Sequence, residues 1–163
     1  MTNELKQADC LEYLNELESA SVDLVVVDPP YFEIVKNGWD NQWDSEAAYL
    51  EWCHAWTAEC FRVLKPGGCF YVWGTTKTDT FLKYKLGVLN NIPDATYQNW
   101  IIWAYDWGGR TKKKFPRKHE DLLMYSKGTD FPFYADDIRV PYKMAKSVRK
   151  GTELNALGKI PTD

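Results

Sequence analysis

Apolar residues recur along this chain in two alternating rhythms. Val22-Asp-Leu-Val-Val-Val27 is a short, nearly continuous apolar run, the pattern of a buried strand in a parallel sheet. Before it, Leu11, Leu14 and Leu17 recur at helical spacing, predicting a helix over Cys10–Leu17 that Asp9 can cap. Glu4 to Gln7 is a short strand candidate ahead of that helix. After it, Leu50, Cys53, Thr57, Cys60 and Leu64 make one stripe of a longer helix, capped by Asp44 or Ser45 and stopped by Lys65-Pro-Gly-Gly68. A strand over Cys69–Trp73, a helix from about Thr78 to Leu89, a turn over Asn90–Asp94, and strands over Trp100–Tyr105 and Asp121–Tyr125 follow. Past Tyr134 the pattern weakens, so residues 1–134 read as sheet and helices and residues 135–163 as irregular. Alternation of strand and helix predicts an α/β fold whose two late strands can run antiparallel.

Composition adds little until it is resolved by position. The chain has 163 residues, enough for one domain with a real core, and carries a net charge of −3. That charge is divided unevenly. Residues 1–60 hold two Lys and thirteen Asp/Glu, whereas Arg110-Thr-Lys-Lys-Lys-Phe-Pro-Arg-Lys118 packs six cations into nine residues without an acid. A second basic stretch runs from Arg139 to Lys150. Such a run is either a solvated loop or a contact surface for phosphates. Eight Trp, ten Tyr and seven Phe read mostly as core. The four cysteines form no C-x-x-C pair, and Cys53 and Cys60 look like small core residues. His54 and His119 are too far apart in sequence to suggest a metal site, so no metal is expected. No signal peptide and no long apolar span are present, so a cytoplasmic location with no membrane partner is expected.

The apolar strand ends in Asp28-Pro29-Pro30-Tyr31. Asp28 and Pro29 both precede a proline and are therefore pushed into extended backbone. Neither proline has an N–H, and φ is fixed at both. The Asp28 carboxylate and the Pro29 carbonyl can then point outward as two rigid acceptors, with the flat face of Tyr31 beside them. This device suits an amino group on a planar ring. A glycine-rich strand-to-helix turn for a nucleotide-type cofactor is absent: none of the ten glycines forms a G-x-G pattern.

On these residues the chain resembles the amino-methylating DNA methyltransferases of the permuted, beta-type subgroup, in which the catalytic half precedes the glycine loop. Arg62-Val-Leu-Lys-Pro-Gly-Gly68 resembles the family's turn into its next strand, and Lys118-His-Glu120 its late motif. The resemblance implies a Rossmann-like sheet, incomplete here, with the cofactor-loop half absent. It implies S-adenosylmethionine as cofactor and double-stranded DNA as substrate, with a flipped-out adenine methylated at N6; Asp rather than Ser or Asn at position 28 favours adenine over cytosine N4. Asp28, Pro29, Pro30 and Tyr31 become the catalytic set. Asp9, Cys10 and Asp28 become cofactor contacts, Asp9 being equally readable as a plain helix cap. Phe115 becomes a second stacking ring or a core anchor, and Arg110, Lys112, Lys113, Lys114 and Arg117 phosphate contacts. A chain without the cofactor loop is expected to be inactive alone, and to need the missing half or a partner subunit, or to self-associate as a homodimer. A non-catalytic DNA-binding remnant is the alternative.

Overall fold

The computed structural model describes residues 3–36, 38–107, 111–113, 115–141 and 158–161. They fall into two units, Met1–Phe131 and Pro132–Asp163. The first is built on a four-stranded mixed sheet of β1 (Val22–Val27), β2 (Leu64–Gly74), β3 (Ala95–Ala104) and β4 (His119–Lys127), in the order β1-β2-β4-β3. β1 runs parallel to β2, and β4 runs antiparallel to both β2 and β3. Helices α1 (Cys10–Glu16), α2 (Glu46–Val63) and α3 (Thr80–Gly87) connect and cover it.

Side chains alternate across each strand, so the pairing decides which residues share a face. Val25 pairs with Phe70 and Val27 with Val72; Phe70 in turn pairs with Tyr125 and Val72 with Leu123. These residues belong to one core together with Trp56, Cys60 and Phe61 of α2 and Phe81 and Tyr84 of α3. Rings dominate it: Trp56 lies 6.3 Å from Phe70 and 5.8 Å from Tyr84, and Phe61 lies 5.2 Å from Phe70. The Thr57 and Tyr84 hydroxyls, both buried, meet at 2.8 Å and join α2 to α3. The opposite face buries Met124 and Ser126 of β4 but is open at the two end strands. Leu24 and Val26 are 53% and 60% exposed there, and Trp73 and Trp103 pair at 5.2 Å with Trp103 60% exposed.

Local chemistry accounts for the helix ends. Asp9 Oδ1 accepts from the Leu11 and Glu12 amides at 2.9 and 3.1 Å, and Ser45 Oγ from Ala48 at 3.2 Å, two side-chain N-caps. Arg62 closes the other end of α1, donating to the Leu14 and Leu17 carbonyls at 2.7 and 3.0 Å.

Several sequence expectations need correction. Glu4–Gln7 forms no strand, and Leu5, its one apolar residue, is fully exposed, so the segment has no apolar face to bury. Lys65–Gly68 is not a free loop but an irregularity inside β2, where the register jumps from Val22↔Leu64 to Leu24↔Cys69. Gly67 takes φ +78 there. The third helix is shorter than expected and gives way to a 3₁₀ turn over Leu89–Asn91, while β3 starts five residues earlier than the apolar run suggested, at Ala95. Pairing with a long partner strand extends β3 through polar positions that propensity leaves out.

The second unit contains a 3₁₀ turn, Ala135–Ile138, and an antiparallel bridge between Val140 and Lys159. Arg139 donates to Asp136 at 2.6 Å and to the Gly158 carbonyl at 3.1 Å.

Candidate active site

Asp28 to Tyr31 leave the C-terminal end of β1, where ligands gather in open α/β sheets. Their shape is held by two neighbours, Tyr49 and Asp40, and by a bond within the motif. The Tyr49 hydroxyl of α2 donates to the Pro30 carbonyl at 3.0 Å. Asp40, only 2% exposed, accepts from the Tyr31 amide at 2.9 Å and from the Val35 amide at 2.9 Å, one bond to each carboxylate oxygen. The Asp40 carbonyl accepts from the Glu33 amide at 3.0 Å. The Tyr31 hydroxyl donates to Asp28 Oδ1 at 2.7 Å. So the pair of free outward acceptors expected from sequence is modified: one oxygen of Asp28 is engaged by the motif's own tyrosine. Burial first, then the hydrogen bond to Asp28 and the charges of Asp28, Glu120 and Asp40, push the Tyr31 phenol well above its ordinary value. It is a neutral donor throughout the physiological range.

Glu120 acts on Tyr31 from the start of β4, which brings the Lys118-His-Glu120 segment to the motif. Its Oε1 accepts from the Tyr105 hydroxyl at 3.0 Å and pairs with Arg117 at 3.4 Å. Arg117 also donates to the buried Thr75, just past β2. Arg117 therefore turns toward the strand ends, where a hydroxyl and a carboxylate engage two of its five N–H donors. Beside it Asp121, 1% exposed, accepts from Trp100 Nε1 at 2.7 Å and Thr76 Oγ1 at 3.1 Å.

Two open concavities share the edge Asp28-Pro29-Pro30. One, of about 330 Å³, lies between α1, β1 and α2, with walls that include Cys10, Tyr13, Leu14, Val27 and Trp52. Asp28 is the one charged residue in its lining. The other, of about 370 Å³, is bounded by Tyr31, Ile34, Val35, Trp39 and Asp40. Cys10 thus joins Asp28 at one cavity, while the Asp9 carboxylate is spent on capping α1. Phe115 is 98% exposed, which rules out the core-anchor reading. Lys112 and Lys113 are exposed. Arg110 and Lys114 lie outside the described residues, as does most of the second basic stretch.

Asp40, Trp39 and Glu120 were not assigned roles from sequence. A buried acid nine residues after Tyr31 has no local signature, because its partners are backbone amides; Trp39 was visible only as an aromatic in a loop.

Residues 22–162 match the model of a DNA methylase family, the N6/N4 methyltransferases. The chain belongs to that family. It is 36% identical over 150 residues to the type II methyltransferase M.HpaI of Haemophilus parainfluenzae, covering 91% of this chain and 46% of the relative. To the type II methyltransferase M1.MboII of Moraxella bovis it is 31% identical, covering 95% and 58%. To the DNA adenine methyltransferase YhdJ of Escherichia coli it is 34% identical, covering 83% and 45%. The chain thus spans about half the length of these relatives. The fold is that of the PvuII cytosine-N4-specific DNA methyltransferase, with a TM-score of 0.55 at 19% identity over 77% of this chain and 49% of that one. It is shared too with M1.HpyAVI in complex with S-adenosylmethionine, TM-score 0.50 at 16% identity over 74% and 54%. Among the described residues no helix is long and apolar enough to cross a membrane.

Proposed function

We propose that this chain carries the catalytic part of a DNA methyltransferase of the restriction-modification type, which moves a methyl group from S-adenosylmethionine to the N6 amine of a flipped-out adenine in double-stranded DNA. The observation that carries this reading is that the Asp28-Pro29-Pro30 edge is common to two concavities, one apolar and one ringed by Tyr31 and Trp39. A donor on one side and an acceptor base on the other would meet at Asp28.

The first concavity fits part of the cofactor. Its apolar walls suit a purine and a thioether carbon chain, and Asp28 suits a sulfonium charge. Among the described residues no cation lines it for an amino-acid carboxylate. That end of the cofactor, in this reading, is held by the segment that makes up the rest of the relatives' length, and the chain alone transfers no methyl group. Bound there, S-adenosylmethionine supplies an electrophilic methyl group.

The remaining chemistry belongs to this chain's side chains. An exocyclic amine conjugated with its ring is a poor nucleophile. Asp28 and the Pro29 carbonyl would accept its two N–H bonds, turn the nitrogen toward tetrahedral geometry, and stabilise the positive charge that develops there. As the N–C bond forms, the methyl group's bond to sulfur would break with its electron pair left on the thioether, and the amine would give up one proton to Asp28 or to water. With the Tyr31 hydroxyl on Asp28 Oδ1, the other carboxylate oxygen would receive the amine. The base leaves the duplex because the amine is out of reach inside it. Tyr31 would stack on it, with Phe115 as a second ring. Lys112 and Lys113 would hold phosphates, which positions the duplex without reading its sequence. Adenine is favoured by Asp at position 28 and by the adenine activity of one relative; cytosine N4 is the second reading, since the PvuII enzyme shares the fold.

The test is methyl transfer to unmethylated DNA, by this chain alone and with a relative's C-terminal half supplied in trans, followed by nucleoside analysis. The expected result is N6-methyladenine only in the complemented sample, lost at least ~10²-fold in Asp28→Ala. N4-methylcytosine would replace the adenine assignment. Transfer by the chain alone would overturn the need for a second half. No transfer in either sample would leave the non-catalytic DNA-binding remnant.

A further inference from the structure

We infer that Asp40 is a positioning residue for the Asp28–Tyr31 edge, acting as a clamp on the backbone that carries the tyrosine; this rests on the methyltransferase reading above. Asp40 is nearly sealed from solvent, yet no cation pairs with it among its described hydrogen bonds. What holds it is backbone. Oδ1 takes the amide of Tyr31, Oδ2 takes the amide of Val35, and its own carbonyl takes the amide of Glu33. Three amides of one five-residue segment therefore converge on a single residue. A carboxylate accepting such bonds binds more strongly than a neutral acceptor. Removing the carboxylate would leave the part-buried Tyr31 and Val35 amides without the acceptor that holds the turn in this shape.

The consequence reaches the proposed chemistry through geometry. Pro29 and Pro30 are stiff at φ, so the first adjustable position after Asp28 is Tyr31, and its amide is the one Asp40 grips. The same grip shapes the second concavity, whose lining runs from Tyr31 through Ile34 and Val35 to Trp39 and Asp40. The Glu33 backbone between them has φ +53, a left-handed conformation that a non-glycine residue keeps only where its surroundings impose it. Asp40 supplies that imposition on both sides, at Tyr31 and at Val35. A shift of about 1 Å at a site that works by alignment costs on the order of 10²-fold in rate.

Two measurements test this. The first needs no catalysis: amide hydrogen exchange in the protein, comparing wild type with Asp40→Ala and Asp40→Asn. Expected are exchange at least ~10-fold faster at Tyr31 and Val35 in Asp40→Ala, and unchanged exchange at Phe70 and Leu123 in the core. Asparagine keeps one acceptor and turns an NH₂ toward the other amide, so Asp40→Asn should release one of the two amides. The second is kinetics in the complemented enzyme, where Asp40→Ala should lower kcat by at least ~10-fold with KM for DNA within about threefold. Ile92→Val, a core change away from the motif, should lower Tm yet leave kcat within about twofold. Protected amides at Tyr31 and Val35 in Asp40→Ala would overturn the clamp. Loss of protection throughout the core, or a fall in kcat matched by Ile92→Val, would reduce Asp40 to general stability and overturn it too. If no methyl transfer is found in any form, the activity reading fails, and the exchange result still decides the clamp.

Discussion

Tyr31 carries two duties in one side chain: its ring borders the concavity proposed for the base, and its hydroxyl satisfies Asp28. Tyr31→Phe separates them. It keeps the ring and frees Asp28 Oδ1, so in the complemented enzyme kcat should change by less than ~10-fold, against the loss of at least ~10²-fold in Asp28→Ala. A Tyr31→Phe enzyme as inactive as Asp28→Ala would mean the hydroxyl itself is needed. Buried thiols give a second prediction at this scale. Burial pushes Cys53 and Cys60 up to about 12, against an ordinary value of 9.0. A folded-state value raised above the unfolded one favours the protonated form, so this stability is complete below about pH 9 and is lost as pH rises toward 12. Thermal melts should therefore be flat up to about pH 9 and then fall. Each thiol contributes on the order of 3–4 kcal/mol across that window, and Cys60→Ala should make the fall shallower.

At the scale of elements, the strand ends are fixed by close packing and by caps. A Cβ added at Gly74 would sit about 2 Å from the Phe81 ring. Gly74→Ala should cost ~1–3 kcal/mol in a urea melt, because neither β2 nor α3 can retreat from a filled core. Asp9 is tested differently. Its two bonds to the start of α1 predict a loss of ~1 kcal/mol in Asp9→Ala, recovered in Asp9→Ser, which can still cap. If cofactor affinity in the complemented enzyme also recovers in Asp9→Ser, capping is the whole of its role; if affinity stays low, the carboxylate itself touches the cofactor.

For the whole molecule the open questions are a surface and a field. Leu24 and Val26 are exposed on an end strand, a combination that invites pairing with another chain. Sedimentation of the isolated chain should show concentration-dependent self-association, weakened by Leu24→Lys with Val26→Lys; a monomer at every concentration would oppose it. The field comes from charge that is acidic through residue 60 and basic around residues 110–118. If Lys112 and Lys113 hold phosphates, replacing both with Ala should weaken DNA binding uniformly across sequences and lower the salt slope of log K by ~2. The span of the motif's strand and the core thiols were legible because they rest on local pattern: Val22–Val27 and the buried Cys53 and Cys60 follow from spacing alone. The burial expected of that strand does not hold, since Leu24 and Val26 are exposed at the end of the sheet. The basic run shows the charge of Arg117 but not its turn toward Thr75 and Glu120.

By itself the sequence determined the alternation of strands and helices, the apolar stripe of α2, and a proline-stiffened acid-to-aromatic edge at the end of β1. All of these depend on residues within a few positions of one another, where steric limits on φ and the periods of helix and strand act directly. Only the tertiary structure decided that Asp40 grips the backbone of Tyr31 and Val35, that Arg117 meets both Thr75 and Glu120 at the strand ends, and that one edge serves two concavities. The Arg117–Thr75 contact joins residues 42 apart and forms only once β2 and β4 have paired, while Asp40 reaches back nine and five residues to backbone amides that no side-chain pattern encodes.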